Sequence, residues 1–170
     1  MIDPNNLTIV ERPAWSVEQT GTPTTSIAYS PNGISIAYSN APGQIVIADV
    51  ADGKTNKTLY QPYTTNSLSG CFFHPVEDDY IISVFKDGYI LLYDALSGEI
   101  IKMTRHLGSN IVSADIDPYG EEFAIGCTDG SIRVYDIENM QRTKVLVKMT
   151  GRAATNQASM IYDLIYHTED

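Results

Sequence analysis

The segment SADIDPYGEEFAIGCTDGSIRVYD, residues 113–136, contains three short apolar stretches separated by a proline turn and a tight glycine turn, and it ends in aspartate. The same arrangement occurs in SIAYSPNGISIAYSNAPGQIVIAD, residues 26–49, and in GCFFHPVEDDYIISVFKDGYILLYD, residues 70–94. The prolines, turn glycines and closing aspartates keep step at a spacing of about 43 residues. A repeat of this length, built from short strands, predicts radial or stacked repetition of one small sheet.

Each copy is followed by a more polar stretch that we interpret as a fourth, exposed strand. These stretches are 57–60, 99–103 and 143–147. The third strand of each copy is instead a continuous apolar run, as in residues 89–93, which is typical of a strand covered on both faces. No stretch combines helical periodicity with helix caps. The chain is therefore predicted to be all-β.

The turn residues support these strand boundaries. Asp87-Gly88 and Asp129-Gly130 are hairpin signals, because glycine accepts the positive φ that tight hairpin turns require. Pro42-Gly43 takes the equivalent place in the first copy. Asp117 precedes a proline, which favours extended backbone, and it is expected to cap the turn that follows.

The stretch DGSIRVYD, residues 129–136, closely resembles the signature of the WD-repeat β-propeller family, with Tyr135 where that family usually has tryptophan. The resemblance extends over three units, from residue 20 to about 148. It implies a β-propeller of four-stranded antiparallel blades around a central channel. We expect about three full blades with partial strands at both ends. The expected divisions are 1–19 for N-terminal, ring-closing strands, 20–62, 63–105 and 106–150 for the blades, and 151–170 for a loop and the first strand of an incomplete fourth blade.

The resemblance also implies a side-chain network in the third unit. The family joins a histidine before the first strand, a serine or threonine ending the second, an aspartate in the next turn and the tryptophan of the third. The matching residues here are His106, Cys127, Asp129 and Tyr135. Cysteine and tyrosine depart from the pattern, so a weakened network is expected.

The other units retain less of this pattern. The second keeps Asp87 and Tyr93, but Phe85 stands at the hydroxyl position and no histidine precedes the unit. The first has Pro42 and Ala48 and lacks the network. Spacing and apolar pattern therefore carry the fold prediction.

Exposed aromatic and arginine side chains are common anchors of protein interfaces, and propeller loops that share a rim are the natural place for them. The candidates in such loops are Tyr63, Lys86, Arg105 and Asn110. Tyrosines within the strands, such as Tyr29, Tyr93 and Tyr135, are interpreted as packing residues.

The sequence predicts no enzyme site, cofactor or metal centre. The three histidines lack metal-ligand spacing, and neither a nucleophile-elbow motif nor a phosphate-binding glycine loop occurs. Asp115 and Asp117 lie on one side of a strand. They are interpreted either as a turn cap and a paired channel residue, or as a cation or acid–base pair.

The overall composition limits the kinds of partner that the chain is expected to bind. The formal net charge of −10, with 21 acidic and 11 basic residues, argues against nucleic acid and against an anionic membrane surface. Cys71 and Cys127 fall in different units, which favours free thiols in a reducing compartment. The polar N-terminus does not resemble a secretory signal, and a cytoplasmic location is expected.

Three blades leave an incomplete ring, since propellers have at least about four. Three explanations stay open: the N-terminal part of a longer propeller, a ring completed by self-association or a second chain through open blade edges, and a stable open fragment. The function expected from the resemblance is a non-catalytic scaffold that binds other proteins. The alternatives are a structural subunit of a cytoskeletal, ciliary, trafficking or ubiquitin-ligase assembly, and a propeller enzyme or cation site using channel carboxylates.

Overall fold

The computed structural model describes residues 23–41, 43–147 and 165–166. Within these ranges, 12 strands form three antiparallel four-stranded sheets, with no helix. This confirms the predicted all-β class. The strands predicted within 1–19, and Pro42, lie outside the described residues. The same holds for the strand predicted in 151–170, apart from residues 165 and 166, which belong to no strand.

The strands follow the chain in three consecutive groups of four. The first sheet contains β1 (Ile27–Tyr29), β2 (Ser35–Ala41), β3 (Gln44–Asp49) and β4 (Thr55–Tyr60). The second contains β5 (Leu68–Phe73), β6 (Tyr80–Phe85), β7 (Tyr89–Asp94) and β8 (Ile100–Arg105). The third contains β9 (Ile111–Ile116), β10 (Glu122–Cys127), β11 (Ile132–Asp136) and β12 (Arg142–Val147).

Each sheet is a simple meander in which consecutive strands pair. The turn between the second and third strands therefore lies at the same end as the loops that enter and leave the sheet, and we call this the upper end. The other two turns lie at the lower end. Neighbouring sheets contact each other mainly through their first strands, β1 with β5 and β5 with β9.

Burial follows the strand order as the sequence predicts. The third strands β3 and β7 are buried along their whole middle, whereas the fourth strand β8 alternates between half-buried and exposed residues. A continuous apolar run suits a strand covered on both faces, and an alternating one suits a strand with one face in water. The fourth strands thus form the exposed side of each sheet.

Two apolar cores lie between the sheets. One joins Ile45, Ile47 and Leu59 of the first sheet to the side of the second that carries Phe85, Leu91 and Tyr93. The other joins the opposite side of the second sheet to the third. Its largest residues are Ile82, Ile90, Ile111, Phe123, Ile125 and Tyr135. The second sheet is therefore covered on both faces.

One packing prediction is wrong. Tyr93 and Tyr135 are buried as expected, but Tyr29 is 65% exposed. The side chains of β1 alternate between its two faces, and the small Ala28 is the one that packs against the core. Tyr29 is consequently on the outward side, together with Ile27.

Candidate functional site

The upper end of the third sheet holds a buried histidine with polar partners. His106 is 4% exposed, and its backbone N–H donates to the Gly88 carbonyl at 2.8 Å. Its Nδ1 lies 3.3 Å from Nη1 of Arg133 and 3.4 Å from the Tyr135 hydroxyl. A guanidinium only donates hydrogen bonds, so Nδ1 accepts. The ring proton therefore sits on Nε2, which donates to Ser109 Oγ at 3.1 Å.

Arg133 connects this histidine to the turn aspartate. Its Nη2 forms an ion pair of 3.1 Å with Asp129 Oδ2, and its Nε donates to Ser131 Oγ at 3.0 Å. Asp129 Oδ1 accepts from the Ser131 hydroxyl at 2.6 Å and from the Ser131 N–H at 3.0 Å. The Arg133 side chain is only 16% exposed. We call His106, Ser109, Asp129, Ser131, Arg133 and Tyr135 the histidine cluster.

The titrating groups of the cluster are shifted by burial and by neighbouring charges. Burial, followed by the positive charge of Arg133, lowers the pKa of His106. For Asp129, burial works towards a higher pKa, but hydrogen bonds from Ser131 and the Arg133 charge outweigh it and lower the pKa. Both shifts favour a neutral imidazole beside an ionised carboxylate.

The four sequence-predicted positions do come together, but the connections differ from those that the resemblance implied. His106 and Asp129 are joined through Arg133. Cys127 is fully buried, and its thiol pKa is raised by burial. The hydroxyls come instead from Ser109 and Ser131, which sequence reasoning missed. Residues 133 and 135 lie on one face of β11, and residue 131 directly precedes that strand in the same period of two, which was the available signal.

The second sheet has the same turn without these connections. The buried oxygens of Ser83 Oγ, Asp87 Oδ1 and Tyr93 Oη have no hydrogen-bond partner among the described residues. Burial raises the pKa of Tyr93, which the nearby Ser83 hydroxyl only partly offsets. The hydroxyl oxygens of Ser83 and Tyr93 are near each other but do not reach hydrogen-bond geometry.

Gln61 occupies the place in the second sheet that His106 has in the third. It lies against the Gly43 turn of the first sheet, as His106 lies against the Gly88 turn of the second. Its Oε1 accepts from the N–H groups of Tyr63 and Thr64 at 2.6 and 2.9 Å. The amide thus closes its own loop and does not reach the aspartate or tyrosine of its sheet.

Two of the four rim candidates meet at the upper end of the second sheet. The rings of Tyr63 and Tyr89 stack with centroids 5.8 Å apart, and the Arg105 guanidinium carbon lies 4.3 Å from the Tyr89 centroid. Tyr63 is 44% exposed. We call these three residues the tyrosine–arginine stack. Sequence reasoning missed Tyr89, because it opens an otherwise buried strand.

Lys86 and Asn110 are exposed at the same end, and within the described ranges their side chains take no part in the ring and cation–π contacts of the stack. Their backbones are fixed. The Lys86 N–H donates to the Ser67 carbonyl at 3.1 Å, and the Lys86 carbonyl accepts from Ile111 at 2.9 Å. The Asn110 carbonyl accepts from the Thr128 N–H at 2.8 Å. The Ile111–Lys86 bond ties the second and third sheets together, whereas the other two bonds join loops of a single sheet.

Asp115, within β9, and Asp117, directly after it, have separate partners. Asp117 Oδ1 accepts from the N–H groups of Tyr119 and Glu121, at 3.1 and 2.9 Å, and so caps its turn as predicted. Asp115 Oδ2 accepts from the Tyr166 N–H at 2.6 Å. Across the residues that the structure describes, no group of three or more His, Cys, Asp or Glu side chains is arranged to hold a metal ion.

No protein-family model matches the chain and no curated protein matches it. In the described part of the chain, no helix has the length and apolar character needed to cross a membrane.

Proposed function

We propose that this chain is a non-catalytic protein-interaction scaffold of the WD-repeat type, whose three sheets are blades of a β-propeller. The resemblance of residues 129–136 to the WD-repeat signature gives the class. The tyrosine–arginine stack is the observation that carries the proposal, because it presents large side chains with little conformational freedom on a surface between loops.

The chemistry of the stack suits a protein partner. Aromatic and arginine side chains are the commonest residues at energetic centres of interfaces. Stacking already restricts the rings of Tyr63 and Tyr89, so less side-chain entropy is lost on binding. The guanidinium of Arg105 keeps its N–H edge for hydrogen bonds while its face packs on the ring.

The frame beneath the stack supports recognition by loops. Tyr89 and Arg105 are paired across β7 and β8, and the Tyr63 N–H is bonded to Gln61. The bond from the Ile111 N–H to the Lys86 carbonyl joins the second and third sheets, and the bond from the Thr128 N–H to the Asn110 carbonyl holds the loop before β9. Recognition loops on a rigid scaffold are a general design for binding proteins.

The test is crosslinking and affinity purification with the full chain as bait, followed by mass spectrometry. Tyr63→Ala is expected to weaken capture of the bound proteins about tenfold or more, since truncating a central interface aromatic commonly costs about 2 kcal/mol of binding. Tyr119→Ala is the matched control, because Tyr119 is 71% exposed in a turn at the lower end. It should leave capture unchanged.

Thermal unfolding of both variants checks that the fold is retained. Equal loss of partners in the two variants, or none in either, would rule out the stack as the binding surface.

A further inference from the structure

An open pocket of about 490 Å³ lies beside the stack, between β8 of the second sheet and β11 and β12 of the third. Neighbouring sheets touch through their first strands, so their outer strands diverge and leave this groove. Arg105, Arg133 and Arg142 line it together with His106 and Gln141. This volume falls within the range of ligand sites, about 300–1,000 Å³.

The pocket gathers positive charge in a strongly acidic chain. The whole protein has 11 basic residues and a formal net charge of −10, yet three arginines share this one groove. The charges of Arg133 and Arg142 both act on His106 and help to lower its pKa. Arg133 and Arg142 thus both lie near the His106 ring, and Arg105 lines the same pocket from β8.

Two of the three charges are available to a ligand. Arg133 is already bonded to Asp129, Ser131 and His106. Among the described residues, neither Arg105 nor Arg142 has a carboxylate within ion-pair distance. Arg105 rests its face on Tyr89, and this leaves the in-plane N–H groups for an anion.

We infer that this pocket binds the phosphate monoester of a phosphoserine or phosphothreonine side chain on a protein partner. Two unpaired guanidinium groups match the charge of about −1.5 to −2 on such a group at neutral pH. Their forked N–H groups suit its oxygens, and bonds between charged partners are the strong ones. Gln141 and Thr104 add polar groups to the lining.

The inference rests on the proposed function, because it supplies the chemistry by which the scaffold would choose its partner. A protein source fits the pocket better than a membrane or nucleic acid does. The net charge of −10 opposes extended contact with either polyanion, whereas a single phosphorylated side chain needs only the local positive charge.

The experiment is fluorescence anisotropy of the full chain with three labelled peptide libraries. They carry phosphoserine, serine or glutamate at a fixed central position between randomised flanks. We expect the phosphoserine library to bind about tenfold or more tightly than the serine library, given the strength of hydrogen bonds between charged groups. The glutamate library should bind weakly, because one carboxylate supplies one charge.

Arg105→Gln combined with Arg142→Gln should abolish the preference for phosphoserine. Lys54→Gln combined with Lys57→Gln is the matched control. It changes the net charge equally but lies in the first sheet, and it should retain the preference. In wild type, the ring signal of His106 should move on phosphopeptide binding, with His74, buried between the lower turns of the second and third sheets, as an internal reference.

Equal binding of the phosphoserine and serine libraries would overturn the inference, and so would equal loss of preference in both double variants. If inorganic phosphate displaces the phosphoserine peptide at a concentration equal to that of the peptide, the pocket binds a free anion, and the inference is overturned as well. Tyr63→Ala separates the two proposals. If Tyr63→Ala loses partner capture but the wild type shows no preference for phosphoserine, the pocket proposal is contradicted and the stack proposal is not. If the preference for phosphoserine is found but Tyr63→Ala leaves partner capture unchanged, the stack proposal is contradicted and the pocket proposal is not.

Discussion

The second and third sheets share strand order, turn position and an apolar core, but they treat the polar groups of their upper turns in opposite ways. In the third sheet, Arg133 links Asp129 to His106, and Tyr135 completes the set. In the second, the buried oxygens of Asp87 and Tyr93 have no partner among the described residues. The hydrogen-bonded cluster is therefore an addition to the fold, and apolar packing between sheets is what both share.

The two grooves between the sheets also differ, in the charge of the residues that line them. The groove between the second and third sheets is lined by three arginines. The groove between the first and second, about 240 Å³, is lined by Asp78 and Asp79 with Lys57 as its basic residue. The two grooves are lined by residues that are not equivalent in the repeat, so their opposite charges come from different positions of the sheets. Only the former groove has the chemistry to hold an anion.

The largest expected effect tests whether the second sheet supports the histidine cluster. Gly88 has a φ of 96°, and a Cβ added there would collide with the His106 carbonyl oxygen. We expect Gly88→Ala to reduce the free energy of unfolding by about 2–5 kcal/mol, from left-handed backbone strain and from overpacking. Urea unfolding at neutral pH measures it.

Gly33→Ala is the control for this substitution. Gly33 has a φ of 73° but open space where its Cβ would lie, so only the backbone term of about 1–2 kcal/mol applies. If the two variants lose the same free energy, the Gly88–His106 contact contributes nothing measurable.

A smaller effect should distinguish the two buried tyrosines. Tyr135→Phe removes a hydroxyl that lies 3.4 Å from His106 Nδ1 and should cost about 1 kcal/mol. Tyr93→Phe removes a buried hydroxyl that has no partner among the described residues, so the free energy of unfolding should stay the same or rise by up to about 1 kcal/mol. Equal destabilisation by both would show that Tyr93 Oη is satisfied and would erase the contrast between the sheets.

Much of the fold was predictable because the repeat encodes it locally. Apolar runs and glycine turns specify strand limits, and the exposed fourth strands follow from their polar residues. Tyr29 was misplaced because the repeat gives its position along β1 but not which face of that short strand meets the core. Ala28 takes that face. A period of two allows either phase when the strand has three residues.

The candidate site was less predictable because it depends on how separate sheets meet. Tyr63 and Arg105 could be assigned to upper loops, but Tyr89, which joins them, reads as the start of a buried strand. Arg142 follows a turn at the lower end of the third sheet, and the sequence alone predicts an exposed charge there. Its approach to Arg105 and Arg133 depends on the divergence of neighbouring sheets, which leaves no local sequence signal.

The smallest effect is a pH dependence that His106 should give to the third sheet. The pKa of His106 is lowered from the ordinary value of 6.5, so the unfolded chain binds this proton at higher pH than the folded chain does. Stability from the neutral imidazole is therefore complete well above pH 6.5 and falls as the pH drops through that value. Gln61, at the equivalent place in the second sheet, does not titrate.

Unfolding in urea at about pH 7.5, 6.5 and 5.5, on either side of the ordinary histidine pKa, compares wild type with His106→Gln. The wild type should lose more free energy of unfolding on acidification than the variant does. Asp129 does not interfere, since its lowered pKa confines its contribution to changes below about pH 4. Identical slopes would mean that His106 is as readily protonated in the folded chain as in the unfolded one, and Arg133 would then not hold the imidazole neutral.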